Sequence, residues 1–120
     1  MTDLEAQLTR SIARDSLAEW SCYTNPSYIV GPPHRKLIAA LERVERGECR
    51  RLMCFMPPRV GKSESVSVNF PAWYLGRNPD KEVMIASYGA SLAHGFSRKA
   101  RNLLAHHGQD VFGVELAKDS

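Results

Sequence analysis

At 120 residues and 43% apolar content, the chain has the size of one domain or part of a larger one, with enough apolar material for a modest core. A formal net charge of +3 and a pI of about 8.9 permit a nucleic-acid partner without singling one out. Cys22, Cys49 and Cys54 form no C-x-x-C pair and so suggest neither a disulfide framework nor a zinc site, which fits a reducing, intracellular compartment. There is no apolar run of about 18 residues, and the N-terminus, with Asp3 and Glu5, has no signal-like apolar stretch; a soluble, cytoplasmic protein with no membrane partner is expected.

Leu4, Leu8 and Ile12 recur every four residues and Leu17 and Trp20 extend the run, predicting one helix over 2–20 with an apolar stripe that packs on this chain or on a partner. Pro32-Pro33 opens a second helix with Leu37, Ile38, Leu41 and Val44 on one face and Gly47 as its stop. The apolar run 51–56, ending at Pro57-Pro58, reads as a buried strand, and 62–75 as a helix that Pro71 should kink. Residues 82–88 read as a second buried strand. Ser91 then caps a last helix, with Leu92, Phe96, Ala100 and Leu103 or Leu104 facing inward, which His106, His107 and Gly108 close as a solvated end. The cluster Val111-Phe112-Gly113-Val114 has no obvious partner. Trp20 and Trp73 read as packing residues.

Strand, helix and strand make one βαβ unit, hence an α/β fold with a partial parallel sheet of the P-loop NTPase, helicase-like kind. That arrangement puts the turn after the first strand and Ser87-Tyr88 on one edge of the sheet. The expected organisation is a helical extension over 1–31 and an incomplete P-loop ATPase domain over 32–120.

Between the first strand and its helix lies Met56-Pro57-Pro58-Arg59-Val60-Gly61-Lys62-Ser63. Successive backbone N–H groups of such a turn and the positive end of the following helix form an anion cradle. Lys62 would reach the β- and γ-phosphates of ATP, and the Ser63 hydroxyl would ligate the bridging Mg²⁺. Met56 stands where the usual frame has its first glycine. Charge supports an anionic ligand: residues 1–42 sum to −1, 43–62 to +4 and 63–120 to zero. Arg43, Arg46, Arg50, Arg51, Arg59 and Lys62 supply the excess and could serve a polyanionic ligand or DNA, although a solvated helix end is the better account of Arg43 and Arg46.

Further segments surround this loop: Tyr28 with Pro33-His34, the run from Arg51-Leu52 to Ser63-Glu64, Phe70 through Pro79, and Ala86-Ser87-Tyr88 followed by Leu92-Ala93 and Phe96-Ser97-Arg98. Together they resemble the N-terminal ATPase region of phage terminase large subunits, the motors that translocate DNA into procapsids. In that family the first loop glycine is commonly replaced. The resemblance implies that Pro58, Arg59, Val60, Gly61, Lys62, Ser63 and Glu64 hold ATP, with Ser63 on Mg²⁺ and Lys62 and Arg59 acting on the transferring phosphoryl group. An arginine so placed is worth roughly 10³ to 10⁵ in rate; the alternative for Arg59 is a surface or DNA contact. Glu64 reads by itself as a first-turn acid favoured by the helix dipole. Tyr28 and His34 resemble the family's base-contacting region, and an ordinary half-buried tyrosine and a helix-start histidine are the alternatives. Ser87-Tyr88 resembles the segment that in related helicase-like motors couples ATP state to DNA grip, and simple strand termination is the alternative.

The resemblance further implies double-stranded DNA, a terminase small subunit and the portal of a procapsid as partners, a homo-oligomeric ring for the full-length protein, and the bacterial host cytoplasm as its location. Hydrolysis also needs an acidic residue at the end of another strand and a carboxylate that polarises water. Asp110, Glu115 and Asp119 end no apolar run, so the acidic strand and a nuclease domain are expected beyond Ser120, and this chain alone is expected to bind ATP without turning it over. Another nucleic-acid-dependent NTPase of helicase type, or a non-catalytic prophage remnant, are the competing readings.

Overall fold

The computed structural model describes residues 2–56 and 64–116. Helix α1 spans Asp3–Asp15. The Thr2 hydroxyl accepts from the Glu5 N–H at 3.1 Å and the Glu5 carboxylate accepts from the Thr2 N–H at 3.4 Å, which satisfies two donors that an uncapped helix would leave open. Ser16 ends it. Its backbone is extended (φ −131°, ψ 121°), and its hydroxyl accepts from the Glu19 N–H at 3.3 Å to start helix α2, Leu17–Thr24.

The single helix expected over 2–20 is therefore two helices, and a serine that caps in both directions is the physical cause. The break separates the predicted stripe. Leu17 and Trp20 enter the core, whereas Leu4, Leu8 and Ile12 face solvent, Leu4 at 74% exposure. From α1 it is the small Ala13, on the opposite side, that is buried.

Helix α3, Pro32–Glu45, follows its sequence signals: prolines open it, Leu37, Ile38 and Leu41 are buried, and Gly47 lies just past its end at φ +80°, a conformation that a β-carbon disfavours. After residue 63 the chain is helical from Glu64. A π-helical turn, Ser65–Asn69, leads into helix α4, Phe70–Arg77. Proline has no N–H to donate and its ring crowds the carbonyl of the preceding turn; the wider π turn, Ser65–Asn69, ends two residues before Pro71, which lies in the first turn of the α-helix.

Helix α5 runs over Ala90–Phe112. It starts behind Gly89 with no side-chain cap, so Ser91 is not the N-cap, and it passes through Gly108 to end at Gly113, which takes a left-handed conformation at φ +69°. The cluster at 111–112 does find partners: Val111 is fully buried and the Phe112 ring lies 5.0 Å from that of Trp20.

The core joins Ala13, Leu17 and Trp20 to Leu37, Ile38, Leu41, Ala72, Trp73, Ala100 and Val111. Gly76 permits its closest approach, because a β-carbon there would stand 2.3 Å from the Phe112 ring. A polar network on Arg77 ties the helix ends around this core. Its guanidinium donates to Glu45 at 3.1 Å, to the Arg14 carbonyl at 2.7 Å and to Asp15 at 3.3 Å, while lying 5.0 Å over the Trp73 ring. The Trp73 indole N–H donates to the same Arg14 carbonyl at 3.1 Å, and Arg14 donates to the Val111 carbonyl at 2.7 Å.

No strand or sheet occurs among the described residues, which corrects the expected α/β class: the described chain is helical. Residues 51–56 and 82–86 have neither helical nor ladder structure, and no backbone hydrogen bond joins them. A strand exists only by pairing, and apolar runs of this length carry no information about whether a neighbour is in register. Neither run is buried as expected. Phe55 is 84% and Met84 93% exposed, and Tyr88 is fully open to solvent. The βαβ unit and the shared sheet edge for Ser87-Tyr88 are withdrawn with the sheet.

Candidate functional site

Pro58, Arg59, Val60, Gly61, Lys62 and Ser63 lie outside the described residues, so the phosphate and metal roles expected for them are carried by sequence alone. The residues on either side are described. Residues 51–56 have no regular secondary structure, and Glu64 has helical dihedrals (φ −62°, ψ −44°). Ser65, the next residue, is buried at 1% exposure, and Asn69 at the far end of the π turn at 2%. The Asn69 amide nitrogen has no hydrogen-bond partner among the described residues.

Tyr28 and His34, expected together from sequence, are brought together. Their rings are 6.0 Å apart at 68°, an edge-to-face contact. His34 sits in the first turn of α3 and accepts the Gly31 N–H on Nδ1 at 3.1 Å, which leaves the proton of its neutral form on Nε2. The Tyr28 backbone is held by a turn: its N–H donates to the Asn25 carbonyl at 2.9 Å, while the Asn25 side chain accepts from the Ser27 N–H at 3.1 Å.

The hydroxyl of Tyr28 hydrogen-bonds that of Ser65, across 37 positions of sequence. Ser65 was not expected at the site, and nothing in its spacing marks it. Nearby, burial, aided by the charge of Glu19, pushes the Cys22 thiol up from its ordinary value, so it is a poor thiolate.

Segments 51–56 and 82–86 both line one groove of about 390 Å³, Leu52 and Cys54 from the first and Val83 and Ile85 from the second, together with Val66 and Phe70. Of the basic residues approaching the loop, Arg43, Arg50 and Arg51 are exposed, and Arg46 pairs with Glu48. His107 is not a solvated helix end. It lies half-buried, its ring 6.3 Å from Trp20 and 5.5 Å from Tyr23, and burial followed by the neighbouring His106 holds it below its ordinary value. Trp20 and Trp73 are packing residues, as expected.

No helix among the described residues is long and apolar enough to cross a membrane. Comparison with protein-family models, with curated proteins and with solved structures returns no match to this chain.

Proposed function

We propose that this chain binds ATP·Mg²⁺ through residues 58–64 and is the ATP-binding portion of a terminase large subunit that powers DNA translocation. The observation that carries the reading is the sequence run Gly61-Lys62-Ser63 followed by Glu64, which has helical dihedrals; backbone N–H groups and the dipole at a helix N-terminus favour phosphate. The Pro-Pro-Arg-x-Gly-Lys-Ser-Glu run, followed by Leu75-Gly76-Arg77-Asn78-Pro79, supports the family assignment over a generic phosphate loop. In this reading Lys62 and Arg59 meet the phosphates, Ser63 the metal, and Tyr28 and His34 the base.

Binding is proposed separately from turnover. Asp110 lies near the end of α5 and Glu115 just beyond it, and neither belongs to the segments around the loop. Double-stranded DNA, a small subunit and a procapsid portal are the partners this reading entails.

The test is isothermal titration of the 120-residue chain with ATP·Mg²⁺, alongside Lys62→Ala. Saturable heat that the variant loses is expected. Equal heats for the two proteins, or none for either, overturn the reading.

A further inference from the structure

Among the contacts on the described side of the loop, one joins two stretches that the proposed function uses for different parts of the nucleotide. Tyr28 belongs to the stretch assigned to the base, and Ser65 directly follows the stretch assigned to the phosphates. Their hydroxyls are hydrogen-bonded, and Ser65 is buried. A buried hydroxyl that loses its partner is costly, so this bond is a stronger constraint than the same bond in water.

Both ends of the contact are held. On one side, the Asn25 turn fixes the Tyr28 backbone and the His34 ring packs against its edge, while His34 is itself oriented by the Gly31 N–H. On the other, Ser65 opens the π turn, and its carbonyl accepts from the Phe70 N–H, five residues on. π turns of this kind often mark sites where function has displaced regular helix geometry.

We infer that Tyr28 is a positioning residue: its hydroxyl, through Ser65, fixes the helical segment that follows the phosphate-binding run in sequence, so that the base-side and phosphate-side segments act as one unit. The inference rests on the nucleotide-binding reading above and deepens it. It also gives the ring and the hydroxyl separate duties, since the hydroxyl is committed to Ser65 and only the ring is offered to a base.

The experiment measures ATP·Mg²⁺ and AMP affinities of the 120-residue chain by displacement of a fluorescent ATP analogue, for wild type, Tyr28→Phe and Tyr28→Phe/Ser65→Ala. The first variant keeps the ring and removes the tether, taking from the buried Ser65 hydroxyl its partner among the described residues. The second removes both hydroxyls and so relieves that burial cost.

Tyr28→Phe is expected to weaken ATP about three- to tenfold, the size of one hydrogen bond, while AMP, which lacks the β- and γ-phosphates, is unchanged. The double variant should recover the melting temperature without recovering ATP affinity, a separation that a merely structural tyrosine would not produce. Equal weakening of ATP and AMP, or wild-type ATP affinity in Tyr28→Phe, overturns the inference while leaving the nucleotide site standing. Wild-type protein that binds neither nucleotide overturns both.

Discussion

The helical side of the molecule and its extended side are built from the same kinds of residue and have opposite fates. Trp20, Leu17, Trp73 and Val111 are sealed into a core, while Met53, Phe55, Met84 and Tyr88 stand in solvent. The difference lies in the backbone. A helix satisfies its own N–H and C=O groups, so its apolar face is free to settle on whatever surface is near. An extended segment has to find a neighbour in register before burial can follow, and residues 51–56 and 82–86 flank a common groove without forming that ladder. Apolar content alone therefore decides little; a backbone satisfied locally permits burial without ensuring it, since Leu4, Leu8 and Ile12 on α1 remain exposed.

The comparison is broken or sharpened most strongly by truncating one aromatic from each side. Trp73→Ala removes a fully buried ring, the hydrogen bond to the Arg14 carbonyl and the surface under Arg77, and is expected to cost about 3–5 kcal/mol in a urea melt. Phe55→Ala is expected to stay within about 0.5 kcal/mol. A comparable loss for Phe55→Ala would mean that the extended segment is packed in solution, and the contrast between the two sides would fail.

A second, smaller effect tests how tightly the helical side is closed. Gly76→Ala places a methyl group against the Phe112 ring, whose nearest carbon is 2.3 Å from the added atom, and Phe112 in turn rests on Trp20. The expected cost is about 1–3 kcal/mol, despite the better helix propensity of alanine. Stabilisation by this substitution would show that α4 and α5 are not in contact at that point.

These two regions also differ in how legible they were. Helix α3 announced both of its ends, with Pro32-Pro33 and Gly47, and its buried face follows the 3.6-residue period. The stripe of Leu4, Leu8 and Ile12 had an equally clear period yet faces water, because Ser16 interrupts the rod and the core takes the small Ala13 side. Periodicity reports that a face is apolar and is silent on what covers it. Residues 51–56 and 82–88 read as strands because short apolar runs look alike whether paired or not. Of the candidate site, Tyr28 and His34 were legible as a pair, whereas Ser65 was not, since a hydrogen bond across 37 residues leaves no trace in spacing. The Arg77 network was hidden for the same reason: its acceptors, Glu45, Asp15 and the Arg14 carbonyl, come together only when three helix ends meet.

The smallest expected effect is a pH dependence confined to the closed side. His107 packs edge-on against Trp20 and Tyr23, and its pKa is lowered from 6.5 by burial first and by the charge of His106 second, with Asp110 opposing. Well above pH 6.5 the ring is neutral in both folded and unfolded chains and contributes no pH dependence. As pH falls through that value the unfolded chain takes up the proton first, so it gains protons relative to the folded one and stability declines until the folded ring also protonates. The melting temperature should therefore drop between pH 7 and pH 5, and His107→Gln, which keeps a polar planar group but cannot titrate in this range, should flatten that part of the profile. A steeper decline in the variant than in the wild type would place the sensitive group elsewhere.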